Sequence, residues 1–251
     1  MIPLDVPGLS IHETMGGDPT RRETMLRLYA EIFPEYAYYL PYMAYKMEHP
    51  IDSDPAFIER WWLIEIEGQS AGLNYIKYAP ERNCGFLLSI GFLPQYRKFR
   101  VGKYPRLLDF IVDISNEQLK ADAAMLGRPI PMGMVAEFQR PEPFMEKADQ
   151  DWYHHVINRF SSLGYVDLGI DYYEPPYVFG HEEYLQIDPA ELTYHRMLLS
   201  ILPLSGGQFE PGNPHMIREC ALAVLADHYK LPETHWVVQA ALNSIEVVPG
   251  I

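Results

Sequence analysis

Cysteine is scarce in this chain. Only Cys84 and Cys220 occur among 251 residues, far apart and without a CxxC partner. Such a pair supports neither a disulfide framework nor a structural zinc site, and it fits a reducing compartment. Basic residues are also in deficit, at 20 against 34 acidic residues, which gives a formal net charge of −14. General nucleic-acid binders show the opposite sign, so no nucleic-acid partner is expected.

Long apolar segments are lacking as well. No run approaches the ~18 residues of a membrane-spanning helix. The first ten residues, MIPLDVPGLS, have neither the basic start nor the apolar core of a signal peptide. We therefore expect a cytoplasmic protein without a membrane partner. The adjacent His154 and His155 do not have the i,i+4 spacing of a zinc-binding helix, and no metal is expected.

The spacing of apolar residues predicts strands and helices that follow one another along the chain. Strands are predicted near 9–15, 61–67, 71–78, 85–93, 131–138, 165–173 and 193–200; helices are predicted near 21–33, 36–49, 107–126 and 146–163. Two more helices are predicted towards the C-terminus, the first capped by Asn213 and the last by Thr234. This order predicts an α/β or α+β fold with a mixed central sheet flanked by helices. The 48% hydrophobic content is ample for its core.

Local patterns add detail to these elements. Thr20 has the spacing of a helix-capping residue and is predicted to cap the first helix. Alternation in WWLIEIE predicts a half-buried strand with Glu65 and Glu67 towards solvent, and Gly68-Gln69 as the turn that follows. Trp152 is predicted on the inward face of its helix.

The most informative segment, PQYRKFRVGKYP at 94–105, joins the apolar strand at 85–93 to a helix. Its cations are Arg97, Lys98, Arg100 and Lys103. A helix N-terminus presents unpaired amides and a partial positive charge, and both favour a phosphate group. The same residues also fit a solvated basic loop.

Residues 92–102, FLPQYRKFRVG, resemble the coenzyme A loop of the GNAT superfamily of N-acetyltransferases. In that loop a strand continues as R/Q-x-x-G-x-G/A into a helix. Arg97 matches the first position, Gly102 matches the last glycine, and Arg100 replaces the first glycine. Two further segments resemble family motifs in the same order: EGQSAG at 67–72 and NRFSSLGY at 158–165.

The resemblance covers roughly residues 9–200. It implies a GNAT domain over 1–205. The helical extension over 206–251 lies outside the resemblance; because its two helices are too short to bury a core alone, we expect them to pack on the core or on a second subunit, as in a homodimer. The resemblance also implies acetyl-CoA as co-substrate. The residues that would bind it are Phe92, Leu93, Arg97, Lys98, Arg100, Val101, Gly102 and Lys103, with the amide of Phe92 or Leu93 facing the thioester oxygen.

The activity that the resemblance implies is direct transfer of an acetyl group to a primary amine of a small molecule or peptide. We single out Glu137 as the proton acceptor, because it lies in the apolar segment MVAEF, where burial would raise its pKa. An exposed strand-edge glutamate would show the same pattern, and Glu65 and Glu67 are weaker candidates. The family's tyrosine that protonates the departing thiolate is replaced by Phe160, so Tyr153, Tyr165, Tyr172, Tyr173 or water would take that role.

Two other functions remain open from the sequence. Phe160 and Arg100 favour a protein of the same fold that binds acyl-CoA or another ligand without turnover. The helices of 206–251 favour an interaction module that dimerises. The tyrosine- and methionine-rich segment at 36–47 belongs either to the core or, as the resemblance implies, to an acceptor pocket. The acidic balance favours a cationic acceptor amine.

Overall fold

A computed structural model describes residues 6–50 and 56–245. The strands among them are β1 (Leu9–Glu13), β2 (Ile58–Ile66), β3 (Gln69–Ala79), β4 (Cys84–Phe92), β5 (Gly133–Gln139), β6 (Val166–Asp167), β7 (Tyr172–Glu174) and β8 (His195–Pro203). The α-helices are α1 (Pro19–Ile32), α2 (Leu40–Glu48), α3 (Leu107–Met125), α4 (Lys147–Ser161), α5 (Pro214–Leu222) and α6 (Trp236–Ile245). The predicted α/β class, strands flanked by helices, is confirmed.

The chain divides into two compact units. The first comprises Met1–Pro80, Phe86–Arg128 and Glu183–Ile187; the second comprises Glu81–Gly85, Pro129–Glu182 and Asp188–Ile251. This division does not coincide with the predicted boundary at residue 205, which stays a prediction. No helix among the described residues is long and apolar enough to cross a membrane.

In the first unit the strand order is β1-β2-β3-β4, and β2 pairs antiparallel with both β1 and β3. The turn between β2 and β3 consists of Glu67 and Gly68, with φ of 49° and 74°. Two successive residues with positive φ make a tight hairpin turn whose twist suits the flanking strands. The predicted turn at Gly68-Gln69 is therefore displaced by one residue, since Gln69 already pairs with Ile66.

Both faces of the β2–β3 hairpin are covered. Trp61 and Tyr75 lie on the face that packs against α1 and α2, within one buried cluster. On the other face Asn74 donates to Ser115 of α3 at 2.9 Å, and Arg60 pairs with Asp122 of α3 at 2.6 Å. The predicted half-buried strand is thus wrong for residues 61–64, because helices shield both faces there and the apolar residues need not alternate with polar ones. Glu67 is exposed and Glu65 half-buried, as expected.

The first helix begins two residues earlier than the sequence suggested. Asp18, not Thr20, is its cap: the Asp18 carboxylate accepts the amides of Thr20 at 2.7 Å and Arg21 at 3.4 Å. Pro19 occupies the first helical position, where its missing N–H costs no hydrogen bond. The capping-box spacing around Thr20 was misleading because Asp18 is an equally good acceptor in front of the proline.

In the second unit β8 is the central strand. It pairs antiparallel with β5 along one edge and with β6 and β7 along the other. Helix α4 buries only Phe160, whereas Trp152 is 51% exposed, so its predicted inward position is wrong. Trp152 instead stacks on His155, with ring centroids 6.1 Å apart. The spacing of apolar residues predicted the helix correctly but did not predict which of its helical turns pack against the sheet.

The C-terminal helices belong to this second unit. Asn213 caps α5 as predicted, accepting the amides of His215 at 3.1 Å and Met216 at 3.4 Å. A π-helical turn, Ala223–His228, follows α5 directly. His235 rather than Thr234 caps α6, since its Nδ1 accepts the Val237 amide at 3.3 Å.

Candidate active site

The basic segment forms an irregular loop between β4 and α3. A short 3-10 turn, Pro94–Tyr96, opens it. The side chains of Arg97, Lys98, Arg100 and Lys103 are exposed, whereas Val101 is 3% exposed and anchors the loop. Helix α3 begins only at Leu107, so the cations precede the helix by several residues.

Gly102 and Lys103 form the two-residue tip of a small hairpin. The Tyr104 amide donates to the Val101 carbonyl at 2.8 Å, and the Val101 amide donates back at 3.2 Å. Gly102 has φ of +52°, in the left-handed region that favours glycine, and a Cβ there would meet no atom within 4 Å. The requirement for glycine is therefore conformational.

Tyr104 ties this hairpin to α3. Its hydroxyl donates to the Asp113 carboxylate, and this hydrogen bond, more than burial, raises the pKa of Tyr104 to about 12. Lys103 Nζ lies 5.1 Å from the centre of the Tyr104 ring, within reach of a cation–π contact. The loop thus presents exposed cationic side chains on a hydrogen-bonded backbone, which is suited to an extended anion.

The end of β4 constrains the predicted oxyanion donors. The Leu93 amide donates to the Ala71 carbonyl at 2.9 Å, so it is committed to the sheet. This geometry argues against Leu93 as a donor to the thioester oxygen. The Phe92 side chain is 7% exposed, and its carbonyl accepts from Arg97 Nε at 3.1 Å. Phe92 therefore stays the candidate of the two.

The loop fits the pyrophosphate of acetyl-CoA chemically. The first hydrogen bond of α3 runs from the Phe110 amide to the Arg106 carbonyl at 3.5 Å, and the Arg106 side chain does not cap the helix. The amides before Phe110 therefore have no acceptor within the helix. Together with the exposed cations, they provide donors and positive charge for phosphate oxygens.

A second cluster of ionisable residues lies in the second unit, around Glu137. In the sheet register Glu137 of β5 is opposite Leu199, while Tyr172 and Glu174 of β7 are opposite Met197 and His195. The three β8 positions are two residues apart, so Glu137, Tyr172 and Glu174 share one face of the sheet. The predicted strand position of Glu137 thus places it among acidic and phenolic side chains.

Two tyrosines donate to Glu137. Tyr172, fully buried, donates to Oε1, and Tyr229 lies 3.1 Å from Oε2. Burial raises the pKa of Glu137 to about 7, although both hydroxyls favour the charged form and oppose the shift. The expected rise in the pKa of this carboxyl is therefore confirmed, and its role as proton acceptor stays a prediction.

Glu174 and Tyr229 were not singled out from the sequence. Burial, followed by repulsion from Glu137, raises the pKa of Glu174 well above its usual range. Glu174 could have been found from its alternation with Tyr172 in YYE. Tyr229 carries no such signal: its amide bonds to the Val224 carbonyl at 2.9 Å, five residues back, in the π-helical turn. A local widening of the helix therefore sets its position.

Phe160 faces an aromatic group rather than an open surface. Its ring lies 4.7 Å from Phe138 and 5.3 Å from Tyr165, centre to centre. The Tyr165 hydroxyl is buried and without a hydrogen-bond partner among the described residues, and burial raises its pKa. Tyr172 already donates to Glu137, and the Tyr173 ring packs on Trp236 at 5.2 Å. The proton donor to the thiolate is therefore not assigned.

No protein-family model matches the chain, and no curated protein matches it. It is similar to a solved aminoglycoside 6'-N-acetyltransferase complexed with coenzyme A, at 12% identity and a TM-score of 0.45, over 80% of this chain and 99% of that one. It is similar to a GNAT-family acetyltransferase from Streptococcus pneumoniae, at 14% identity and a TM-score of 0.44, over 78% of this chain and 99% of that one. A mutant of spermidine N-acetyltransferase from Vibrio cholerae gives 10% identity and a TM-score of 0.44, over 79% and 95%.

Proposed function

We propose that this chain is a GNAT-type N-acetyltransferase that transfers an acetyl group from acetyl-CoA directly to a primary amine. The observation that carries the proposal is Glu137, a half-buried carboxylate held by two tyrosine hydroxyls, with a pKa raised to about 7. A carboxyl with that pKa exchanges protons near neutral pH, as a general base must.

In this proposal Glu137 takes a proton from the acceptor nitrogen, because only a neutral amine has the lone pair that attacks a thioester. Tyr172 and Tyr229 hold the carboxylate in one orientation, which reduces the reorganisation needed when the proton arrives. This single proton transfer makes the acceptor amine neutral and neutralises the carboxylate of Glu137.

The loop at 97–103 takes the pyrophosphate of acetyl-CoA. Its exposed cations and the first amides of α3 neutralise the phosphate charges, and the Val101–Tyr104 hairpin fixes the backbone between them. The acceptor class that we propose is a cationic amine of a small molecule or peptide. The acidic charge balance of −14 favours the approach of such a substrate.

A second function, binding of acyl-CoA without turnover, is favoured by Phe160. Phe160 stands where the resembling family places its proton donor, and a phenylalanine ring has no acidic proton. Under this alternative the loop at 97–103 would bind its ligand, and Glu137 would have a structural role.

Two measurements separate these functions. Calorimetric titration with acetyl-CoA tests the binding that both require. Release of free CoA thiol, followed with a panel of polyamines, aminoglycosides and peptide N-termini, tests turnover. Thiol release that depends on the amine supports the transferase. Binding of acetyl-CoA without amine-dependent release from any member of the panel would leave the binding protein as the function, and absence of binding would contradict both.

A further inference from the structure

One tyrosine hydroxyl connects two carboxylates in the second unit. Tyr229 Oη lies 3.1 Å from Glu137 Oε2 and 3.5 Å from Glu174 Oε1. A phenol donates one hydrogen bond and accepts others, so Tyr229 can donate to one carboxylate while it accepts from the other if that one is protonated. When the two carboxylates share one proton, hydrogen bonds connect Glu137, Tyr229 and Glu174 in one continuous chain. A proton can pass along this chain in either direction.

We propose that Glu137, Tyr229 and Glu174 form a proton relay, in which Tyr229 and Glu174 return Glu137 to its ionised state after each turnover. The inference rests on the proposed function, because it needs Glu137 to take a proton from the acceptor. Tyr229 and Glu174 act through Glu137 and are positioning residues.

The proton balance of the reaction requires that one proton leave the site for solvent. An ammonium acceptor and acetyl-CoA give an amide, free CoA thiol and one proton: the C–N bond forms, the C–S bond breaks, and its electron pair stays on sulfur. Of the three protons on the ammonium nitrogen, one stays on the amide, one ends on sulfur and one must reach solvent. In the relay, Glu174 first releases its proton to solvent; Glu137 then gives the acceptor's proton to Tyr229 Oη while Tyr229 gives its own to Glu174.

The surroundings favour transfer along this chain. Tyr229 is 5% exposed and Tyr172 is fully buried, whereas Glu137 and Glu174 are both half-buried, so the two ends of the chain are less buried than its middle. Tyr172 donates to the other oxygen of Glu137, so Glu137 Oε2 is directed to Tyr229. The titratable group of β8 on this face is His195, opposite Glu174 in the register.

The pKa values of the two carboxyls favour transfer of the proton from Glu137 to Glu174. Repulsion from Glu137 adds to burial in raising the pKa of Glu174, so the proton that the pair shares is held at Glu174 when Glu137 is ionised. Coupled acids of this kind lose their protons in two separated steps. Glu137 is thereby ready to accept while Glu174 stores or releases the proton.

The test compares Tyr229→Phe, Glu174→Gln and the double variant with the wild-type full-length chain. The controls are Tyr194→Phe and Glu233→Gln, which make the same chemical changes outside the relay, where Tyr194 lies near His235 and Glu233 near Arg218. We measure kcat and KM for acetyl-CoA and the amine from pH 5 to 9, the solvent deuterium isotope effect at mixed H2O/D2O ratios, and rescue by added imidazole. Circular dichroism establishes that each variant folds.

The relay predicts that each single variant loses about tenfold or more in kcat, with KM for acetyl-CoA unchanged. The double variant loses no more than the larger single loss, because one broken link already stops the chain. Imidazole restores turnover to Glu174→Gln by taking the proton directly. For the wild-type chain, a plot of kcat against the deuterium fraction of the solvent should be curved, as expected when several protons move. For Tyr229→Phe the same plot should be linear.

The relay is overturned, and the proposed function stays intact, if the wild-type chain turns over, kcat of both single variants is within twofold of wild type, and imidazole rescues neither. Additive losses without a change in the isotope curve would overturn it as well, since they indicate two separate structural roles. If Tyr229→Phe does not fold, Glu174→Gln and its rescue decide. No thiol release from the wild-type chain with any amine would overturn the relay together with the proposed function.

Discussion

The guanidinium of Arg82 donates two hydrogen bonds to the carboxylate of Asp227: Nε lies 2.5 Å from Oδ2, and Nη2 lies 3.3 Å from Oδ1. Arg82 also bonds Glu219 at 2.9 Å. Asp227 belongs to the π-helical turn, and Tyr229 follows it by two residues. This ion pair therefore fixes the segment that carries the hydroxyl to Glu137.

Replacing Arg82 by alanine should lower the free energy of unfolding by about 1–2 kcal/mol, because two partly buried carboxylates lose their partner. Thermal and urea unfolding measure this change. The matched control is Arg218→Ala, whose 3.4 Å pair with Glu233 is exposed and should contribute about 0–1 kcal/mol. Equal effects of the two substitutions would show that the Arg82 cluster has no special structural role.

Glu59 provides a pH-dependent prediction in the first unit. Burial opposes its ionisation, but Lys77, Lys46 and the Tyr75 hydroxyl outweigh burial and lower its pKa to about 2. Lys46 Nζ and Lys77 Nζ lie 3.0 Å and 3.5 Å from Oε1, and Tyr75 lies 2.8 Å from Oε2. The folded state therefore binds the Glu59 proton less tightly than the unfolded chain does.

Glu59→Gln should lower the free energy of unfolding by about 3 kcal/mol at pH 7, because two lysines stay buried without their carboxylate. A lowered pKa gives stability that is fully present above the unfolded value of about 4.5 and lost as the pH falls towards 2. The difference between wild type and variant should shrink over that window in urea titrations. A constant difference, or one as small as that of the exposed control Glu117→Gln, would contradict the prediction.

Glu137→Gln keeps the shape of the proposed base and removes its basicity. It should lower turnover by roughly 10²-fold or more near neutral pH, with acetyl-CoA affinity unchanged. The base must be ionised, so wild-type turnover should rise with pH and level off above about 7, the raised pKa of Glu137. Thiol release from pH 5 to 9 measures both effects. An acid limb that persists unchanged in the variant would assign the base to another residue.

Gly102 tests the loop independently of the chemistry. Gly102→Val should weaken acetyl-CoA binding by about tenfold or more, because a β-branched residue resists φ of +52° and opens the Val101–Tyr104 hairpin. Gly102→Asn should retain most of the affinity, since asparagine tolerates the left-handed region. Gly212→Val, at φ of +81° in the second unit, carries the same strain and should leave calorimetric affinity unchanged. Full affinity in Gly102→Val would remove this loop from the binding site.

Much of the architecture could be predicted from the sequence, because local periodicity directly reflects the geometry of strands and helices. The cap at Asn213, the partial burial of Glu137 in β5 and the order of the elements followed from nearby residues, except that the predicted strand at 165–173 is two short strands, β6 and β7. The errors came where two local rules compete or where a distant surface decides. Asp18 displaced Thr20 as a cap, and the predicted inward face of Trp152 was wrong because α4 meets its sheet only near Phe160.

The cluster around Glu137 was decided by tertiary structure. The register of β8 aligns Glu137 with Tyr172 and Glu174 on one face, and a π-helical turn brings in Tyr229, which is 92 residues away along the chain. Neither register nor a helical irregularity leaves a periodic trace in the sequence. The sequence by itself determined that Glu137 lies in an apolar strand, because that signal is local, whereas strand pairing and a helical irregularity determined which side chains meet it.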